Sequence, residues 1–222
     1  MTVLVVTGTD TDVGKTIATA AIAAALTAAG RRVMVYKPTQ TGVSGDEPGD
    51  VAEVERLTGV LGEDGVRLVA PMAPRPAGAL ESATLPRLDE HVERVTRLER
   101  SCDVVLVEGA GGLLVELTEC GETIADLARA VQASVVVVVR SALGTLNHTA
   151  LTLEALQARG IQPLGVVVGS WPSDPSTVEV SNRETLKAGE VPMLGAIPAG
   201  AGQLSRAAFV ARAPGWLTQL PR

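Results

Sequence analysis

Apolar residues in this chain fall into short continuous runs separated by segments of helical composition. Val3-Leu4-Val5-Val6-Thr7, Val33-Met34-Val35-Tyr36-Lys37 and Asp103-Val104-Val105-Leu106-Val107-Glu108 predict three strands. Ser134 to Arg140, Leu164 to Gly169 and Met193 to Ile197 predict three more. The runs do not alternate with polar residues, which is the pattern of strands covered on both faces. Between them the sequence predicts helices over Ile17 to Ala29, 50–58, 89–100, 123–132, 146–159 and 177–187, the first ending at Gly30. Strand and helix alternating in this way predict an α/β fold with a doubly wound, mainly parallel sheet and helices on both faces. Pro71-Met72-Ala73-Pro74-Arg75-Pro76 reads as an extended, turn-rich connection. It is a short linker at most, and both flanks fit one sheet, so residues 1–222 read as a single domain. The tail from Leu204 to Arg222 carries a weak helical pattern broken by Pro214-Gly215, and no internal repeat is visible.

Composition narrows the partners. Hydrophobic residues make up 46% of the chain, enough for a globular core. The longest apolar candidate, Val135 to Val139, is far too short to span a bilayer, so no membrane partner is expected. The N-terminus lacks the pattern of a secretory signal. A net charge of −6 with no basic block argues against nucleic acid. Aromatic residues are only 2%, which leaves no platform for stacking bases. Cys102 and Cys120 fit no metal or redox spacing and read as buried or half-buried free thiols of a cytoplasmic protein. The two histidines, His91 and His148, are too few for a zinc site; His91 reads as part of an amphipathic surface face and His148 as structural.

The chemistry is concentrated where predicted strands end, which is where ligands collect in such sheets. After the first strand comes Gly8-Thr9-Asp10-Thr11-Asp12-Val13-Gly14-Lys15-Thr16. Strand, glycine-rich turn, Gly-Lys-Thr and helix together define a phosphate-binding P-loop, although five residues separate Gly8 from Gly14 where the standard pattern has four. Backbone N–H groups and the helix dipole there attract anions. Lys15 is expected to reach the β- and γ-phosphates, and the Thr16 hydroxyl to ligate Mg²⁺. The second strand runs into Lys37-Pro38-Thr39-Gln40-Thr41-Gly42, the third into Glu108-Gly109-Ala110-Gly111-Gly112, and the fourth leads to Gly144-Thr145-Leu146-Asn147-His148.

Those four segments, in this order and spacing, resemble dethiobiotin synthetase, an ATP-dependent enzyme of biotin synthesis with a P-loop NTPase-like fold. The resemblance implies carboxylation and ring closure of 7,8-diaminopelargonate with CO₂ and MgATP. It implies a carbamate, a mixed carbamic-phosphoric anhydride, and a homodimer. It places Lys37 and Lys15 in catalysis. Nucleotide contacts are implied for Thr11, Asp12, Val13, Gly14, Lys15, Thr16, Glu108, Gly109, Ala110 and Gly111. Substrate contacts are implied for Thr11, Lys37, Thr41, Gly111 and, across the dimer interface, Thr145, Leu146 and Asn147. Thr16, Glu108 and Asp50 are implied as Mg²⁺ contacts, with Asp46 an alternative to Asp50.

Each residue also has an ordinary structural explanation. Lys37 is a strand-end lysine able to snorkel to solvent, Thr41 a turn hydroxyl, Glu108 a solvated loop acid. Asp50 is placed to cap a helix, and so is Thr145. Where many members carry Asn-Asp to read adenine, this chain has Gly169-Ser170-Trp171, leaving Gly169, Ser170, Pro198, Ala199 and Gly200 to line the base pocket. Loose base selection follows from that substitution. Two other P-loop readings compete. One is an amidating ligase, which usually needs a glutaminase domain that 222 residues do not hold. The other is a nucleotide-dependent partition or assembly switch, which generally carries a second lysine early in the P-loop; here that stretch offers only Asp10 and Asp12.

Overall fold

A computed structural model describes residues 2–221. Seven strands form one sheet: β1 (Thr2–Gly8), β2 (Val33–Gln40), β3 (Gly62–Arg67), β4 (Val104–Gly112), β5 (Ser134–Val139), β6 (Pro163–Trp171) and β7 (Met193–Pro198). Their order is β3-β2-β4-β1-β5-β6-β7, and every pairing is parallel. The eight described helices are α1 (Lys15–Ala28), α2 (Asp50–Thr58), α3 (Pro74–Glu81), α4 (Leu88–Glu99), α5 (Ile124–Ala130), α6 (Thr145–Gln157), α7 (Thr177–Lys187) and α8 (Arg206–Trp216). This is the doubly wound parallel architecture that the hydrophobic runs predict.

Continuous apolar strands arise because two cores share them. Val136 and Val138 of β5 face one core, with α1, α2 and α8. Val135, Val137 and Val139 face the other, with residues of α4 and α5 and with Leu156 and Leu186 of α6 and α7. Helix α1 is almost wholly buried, and its alanines let it lie close to the sheet and to α8.

Three elements depart from the sequence expectation. β3 was not visible as a strand because it is a polar edge, Gly-Glu-Asp-Gly-Val-Arg, half-buried along most of its length. Pro74 opens α3 rather than continuing an extended connection; a proline at the first helical position gives up no needed N–H. The tail helix α8 runs through Pro214 to Trp216, held by burial of Phe209 and Ala213 and by an edge-to-face contact of Phe209 with Trp216 at 5.2 Å.

Two further expectations are corrected. Cys102 is buried as expected, whereas Cys120 is exposed. His91 is not on a surface face. It is completely buried under β2, with its Nδ1 2.6 Å from the Tyr36 hydroxyl. Its helix is amphipathic, but His91 lies on the inner side.

Candidate active site

The carboxyl ends of β1, β2 and β4 surround a cavity of about 470 Å³ whose walls include Thr11, Lys15, Lys37, Thr41, Asp50 and Glu108. Asp12, Gly14, Thr16, Ala110 and Gly111 complete the sequence-predicted residues brought there. A larger groove of about 780 Å³ runs between α6 and α7, but its walls are mainly apolar, including Leu153, Ile161, Val166 and Leu186. The polar cavity is therefore the candidate site.

Local backbone geometry builds the phosphate end. Gly14 precedes α1 with φ 92°, a left-handed conformation that glycine adopts without strain, and no side chain caps the helix. The first N–H groups of α1 remain available to an anion. Lys15 Nζ folds back to the Asp10 carbonyl at 2.9 Å. Burial, and secondarily the charge of Lys37, lower the Lys15 pKa from its ordinary value. Val13 turns into the core instead of lining the cavity.

Lys37 and Glu108 are not at strand ends. Both strands extend three residues or more beyond them, so both side chains emerge inside the sheet. Pro38 is tolerated because the pairing of β2 with β4 stops at Tyr36, and the β3 register passes from Lys37 to Thr39. Lys37 is buried rather than snorkelling. Its ammonium donates to Glu108 Oε1 at 2.9 Å and to the Gly109 carbonyl at 3.0 Å, and lies 2.5 Å from Asp50 Oδ2. Burial opposes the charge on Lys37, but Glu108 and Asp50 outweigh it and raise the pKa. The reciprocal effect holds at Asp50: burial pushes its pKa up, and Lys37 brings it below the usual carboxylate range.

Thr16 donates its hydroxyl to Glu108 Oε1 at 3.0 Å, which joins the P-loop to the Lys37 cluster. Glu108 is 1% exposed, so the solvated-acid alternative fails, and its Oε2 is buried without a protein partner. Asp50 is the first residue of α2 rather than its cap, which is Gly49. Asp46 lies exposed in the preceding loop. The oxygens of Thr16, Glu108 and Asp50 are the hard donors that Mg²⁺ takes, and the orphaned Glu108 Oε2 fits such a role. Among the described residues, no group of three or more His, Cys, Asp or Glu is placed to hold a metal.

The remaining predicted residues lie outside this cavity. Gly169 packs on the P-loop backbone, and Ser170 is exposed beside it. Pro198 and Gly200 are exposed, and the Ala199 N–H donates to the Trp171 carbonyl at 2.7 Å, tying the ends of β6 and β7 together. Gly109 lies one step behind the cavity, its carbonyl turned to Lys37. Thr145, Leu146 and Asn147 open α6. Gly144 is the cap there, and the Thr145 hydroxyl is buried with no partner, so ordinary capping by Thr145 does not occur. The loop before it is tethered twice. Arg140 donates to Asp10 Oδ2 at 3.1 Å and to the Thr11 carbonyl at 2.9 Å. Asn182 of α7 donates to the Ser141 and Ala142 carbonyls at 2.8 and 3.1 Å. Thr39 and Gln40 line the cavity without having been assigned a role; both stand in the Lys37–Gly42 segment, which was the available signal.

Fold and site define a P-loop protein of the doubly wound class, with a buried lysine held between two carboxylates beside the phosphate loop. A family model described as "AAA domain" matches residues 2–203. The ATP-dependent dethiobiotin synthetase BioD of Mycobacterium avium (strain 104) is 52% identical over 226 residues, covering 99% of each chain. That of Rhodococcus jostii (strain RHA1) is 50% identical over 218 residues, covering 97% of this chain and 94% of its own. Among solved structures, the cell division ATPase MinD of Pyrococcus furiosus matches with a TM-score of 0.59 at 19% identity, covering 99% of both chains. That likeness concerns the fold alone. The chain belongs to the AAA domain family and, within it, to the dethiobiotin synthetases, and it is an ATP-dependent ligase.

Proposed function

We propose that this ligase converts 7,8-diaminopelargonate, CO₂ and ATP to dethiobiotin, ADP and phosphate. The observation that carries the reading is the Lys37 ammonium, buried between Asp50 and Glu108 and joined through Glu108 to the P-loop residue Thr16. A substrate amine attacks CO₂ and releases one N–H proton to solvent, leaving a carbamate. A carbamate oxygen attacks the γ-phosphorus, and ADP leaves with the electron pair of the broken P–O bond. The second amine attacks the carbonyl carbon of the mixed anhydride, loses its proton and expels phosphate, closing the urea ring. Both nucleophiles belong to the substrate, so the protein's task is positioning and charge neutralisation.

Lys37 neutralises the carbamate and the transferring phosphoryl group. Lys15 leaves the Asp10 carbonyl to meet the β- and γ-phosphates. The loop N–H groups of residues 11–16, with Gly109, Ala110 and Gly111, give the phosphates close backbone contact. Thr41 and Thr11 orient the diamine end. Thr16, Asp50 and Glu108 hold Mg²⁺, which offsets phosphate charge when bound. In a homodimer, Thr145, Leu146 and Asn147 of the partner subunit receive the far carboxylate of the substrate at the start of α6, where N–H groups favour an anion. Gly169, Ser170, Pro198, Ala199 and Gly200 face the base. The whole chain acts as one cytoplasmic ligase domain, without nucleic-acid or membrane partners.

The test is ¹⁸O-labelled bicarbonate with purified protein, diamine and MgATP. The expected products are dethiobiotin by mass spectrometry and phosphate carrying label delivered from the carbamate oxygen. Dethiobiotin with unlabelled phosphate would refute the anhydride. ATP turnover indifferent to the diamine and bicarbonate but stimulated by DNA or vesicles would favour the partition switch.

A further inference from the structure

Gln40 closes β2 and is 5% exposed. Its Oε1 accepts the backbone N–H of Asp50 at 2.7 Å, and its Nε2 donates to the Thr41 carbonyl at 3.0 Å. Both ends of the carboxamide are engaged. The start of α2 explains why the first bond matters. The cap of α2 is Gly49, which has no side chain to accept a first-turn N–H. Gln40 supplies that acceptor from the neighbouring strand. The fit also depends on glycine: a Cβ at position 49 would lie 2.8 Å from Gln40 Oε1 and 3.0 Å from its Cγ. A conventional Ser or Asp cap at 49 would displace the glutamine.

The residue whose N–H is held in this way is the one whose Oδ2 meets Lys37 Nζ at 2.5 Å. The two acids on Lys37 are secured differently. Glu108 projects from within a central strand and is 1% exposed. The Asp50 side chain is 33% exposed and hangs from a helix terminus. Its place depends on the seam between α2 and β2, and the side chain of Gln40 bonds across that seam.

We propose that Gln40 is a positioning residue that fixes the start of α2 against β2, and through it the Asp50 carboxylate against Lys37 and a phosphate-bound cation. The proposal rests on the reading of Asp50 given above, and Gln40 acts through Asp50 rather than on a reactant.

A double-mutant cycle tests it. Wild type, Gln40→Leu, Asp50→Asn and the double variant are titrated with Mn²⁺ in the presence of a non-hydrolysable ATP analogue, with bound metal read by electron paramagnetic resonance. Gln40→Leu removes donor and acceptor at similar volume. It should weaken Mn²⁺ binding about tenfold, the scale of losing an outer partner of a metal ligand. Metal-free nucleotide affinity should stay within about twofold, and the change should have no further effect once Asp50 is Asn. Gln40→Glu keeps the acceptor and should restore much of the binding. If Gln40→Leu fails to fold, as judged by thermal unfolding, Gln40→Asn takes its place, because the shorter side chain cannot span the same gap. Additive losses in the double variant, or an equal loss of metal-free nucleotide binding, overturn the proposal. Absence of dethiobiotin from the wild-type reaction would refute the proposed reaction and leave this cycle readable.

Discussion

Gly14 and Gly169 meet backbone to backbone, leaving neither position room for a side chain. A Cβ on Gly14 would lie 2.7 Å from the Gly169 carbonyl oxygen, and a Cβ on Gly169 would lie 2.0 Å from the Val13 carbonyl oxygen. The end of β6 is thus a mould for the turn of the phosphate loop. Gly169→Ala should push that turn aside, with a stability loss of about 1–3 kcal/mol from overpacking and at least about tenfold weaker nucleotide binding, or 1.4 kcal/mol in affinity. Thermal unfolding with and without nucleotide, together with direct titration, reads both. Undiminished nucleotide affinity in the alanine variant would mean that the contact does not shape the loop.

Removing Lys37 should cost stability as well as turnover. It is buried between two carboxylates, and breaking such a pair leaves charge uncompensated, at about 3–5 kcal/mol. Lys37→Met should therefore unfold earlier than wild type and lose about 10²–10³ in rate. Adding Asp50→Asn removes one of the stranded charges. The double variant should regain much of the stability and none of the turnover. A double variant that recovers dethiobiotin formation would exclude Lys37 from the chemistry.

His91 should make stability depend on pH below neutrality. Burial lowers its pKa to about 4; Glu90 opposes this and Arg94 reinforces it, both to a smaller extent. An unfolded histidine titrates near 6.5. As pH falls from about 6.5 towards 4, the unfolded chain takes up a proton that the folded chain refuses, so stability declines, by up to about 3 kcal/mol, and levels off lower down. Lowered carboxylates such as Asp126 lose stability in the same direction, so the informative quantity is a difference. His91→Gln keeps a group that can hydrogen-bond the Tyr36 hydroxyl and should flatten the profile relative to wild type in denaturant titrations from pH 4.5 to 7. Parallel profiles would show that His91 is not the titrating group.

Base choice should be permissive. The residues around the phosphates recognise what every nucleoside triphosphate shares, and no carboxamide stands at position 169 to pair with adenine. Losing such a bidentate contact costs about 1–3 kcal/mol of discrimination, on the scale of base readout. CTP, GTP and UTP should each bind and support product formation within about a hundredfold of ATP when Mg²⁺ is held constant. A preference for ATP above a hundredfold over all three would show that adenine is read by other groups.

The alternation of strands and helices, and the P-loop, could be read from the sequence because both depend on local pattern. Continuous valines mark strands covered on two sides, and Gly-Lys-Thr after a strand fixes a backbone shape. β3 was invisible for the opposite reason. An edge strand of polar residues and glycines carries no hydrophobic signal, and its glycines are set by Val35 and Pro38 of the next strand. Lys37 and Glu108 were found, but not their depth, because Pro38 and Gly109 read as strand terminators and only the sheet register shows the strands continuing. His91 sits on a helix with a clear polar face, and its burial depends on the Tyr36 hydroxyl arriving from β2. Asp46 and Asp50 stand four residues apart around the start of the same helix, and only the folded chain shows that Asp50 is the one that reaches Lys37.

The division of β5 between two cores has an evolutionary consequence. Val136 and Val138 answer only to the layer containing α1, while Val135, Val137 and Val139 answer only to the opposite layer. A substitution at one of these positions is screened by one set of neighbours and is unseen by the other. The layer carrying the phosphate loop can therefore stay frozen while the far layer drifts, although the two are separated by a single step along the chain. Along β5, inheritance is partitioned by the parity of residue number.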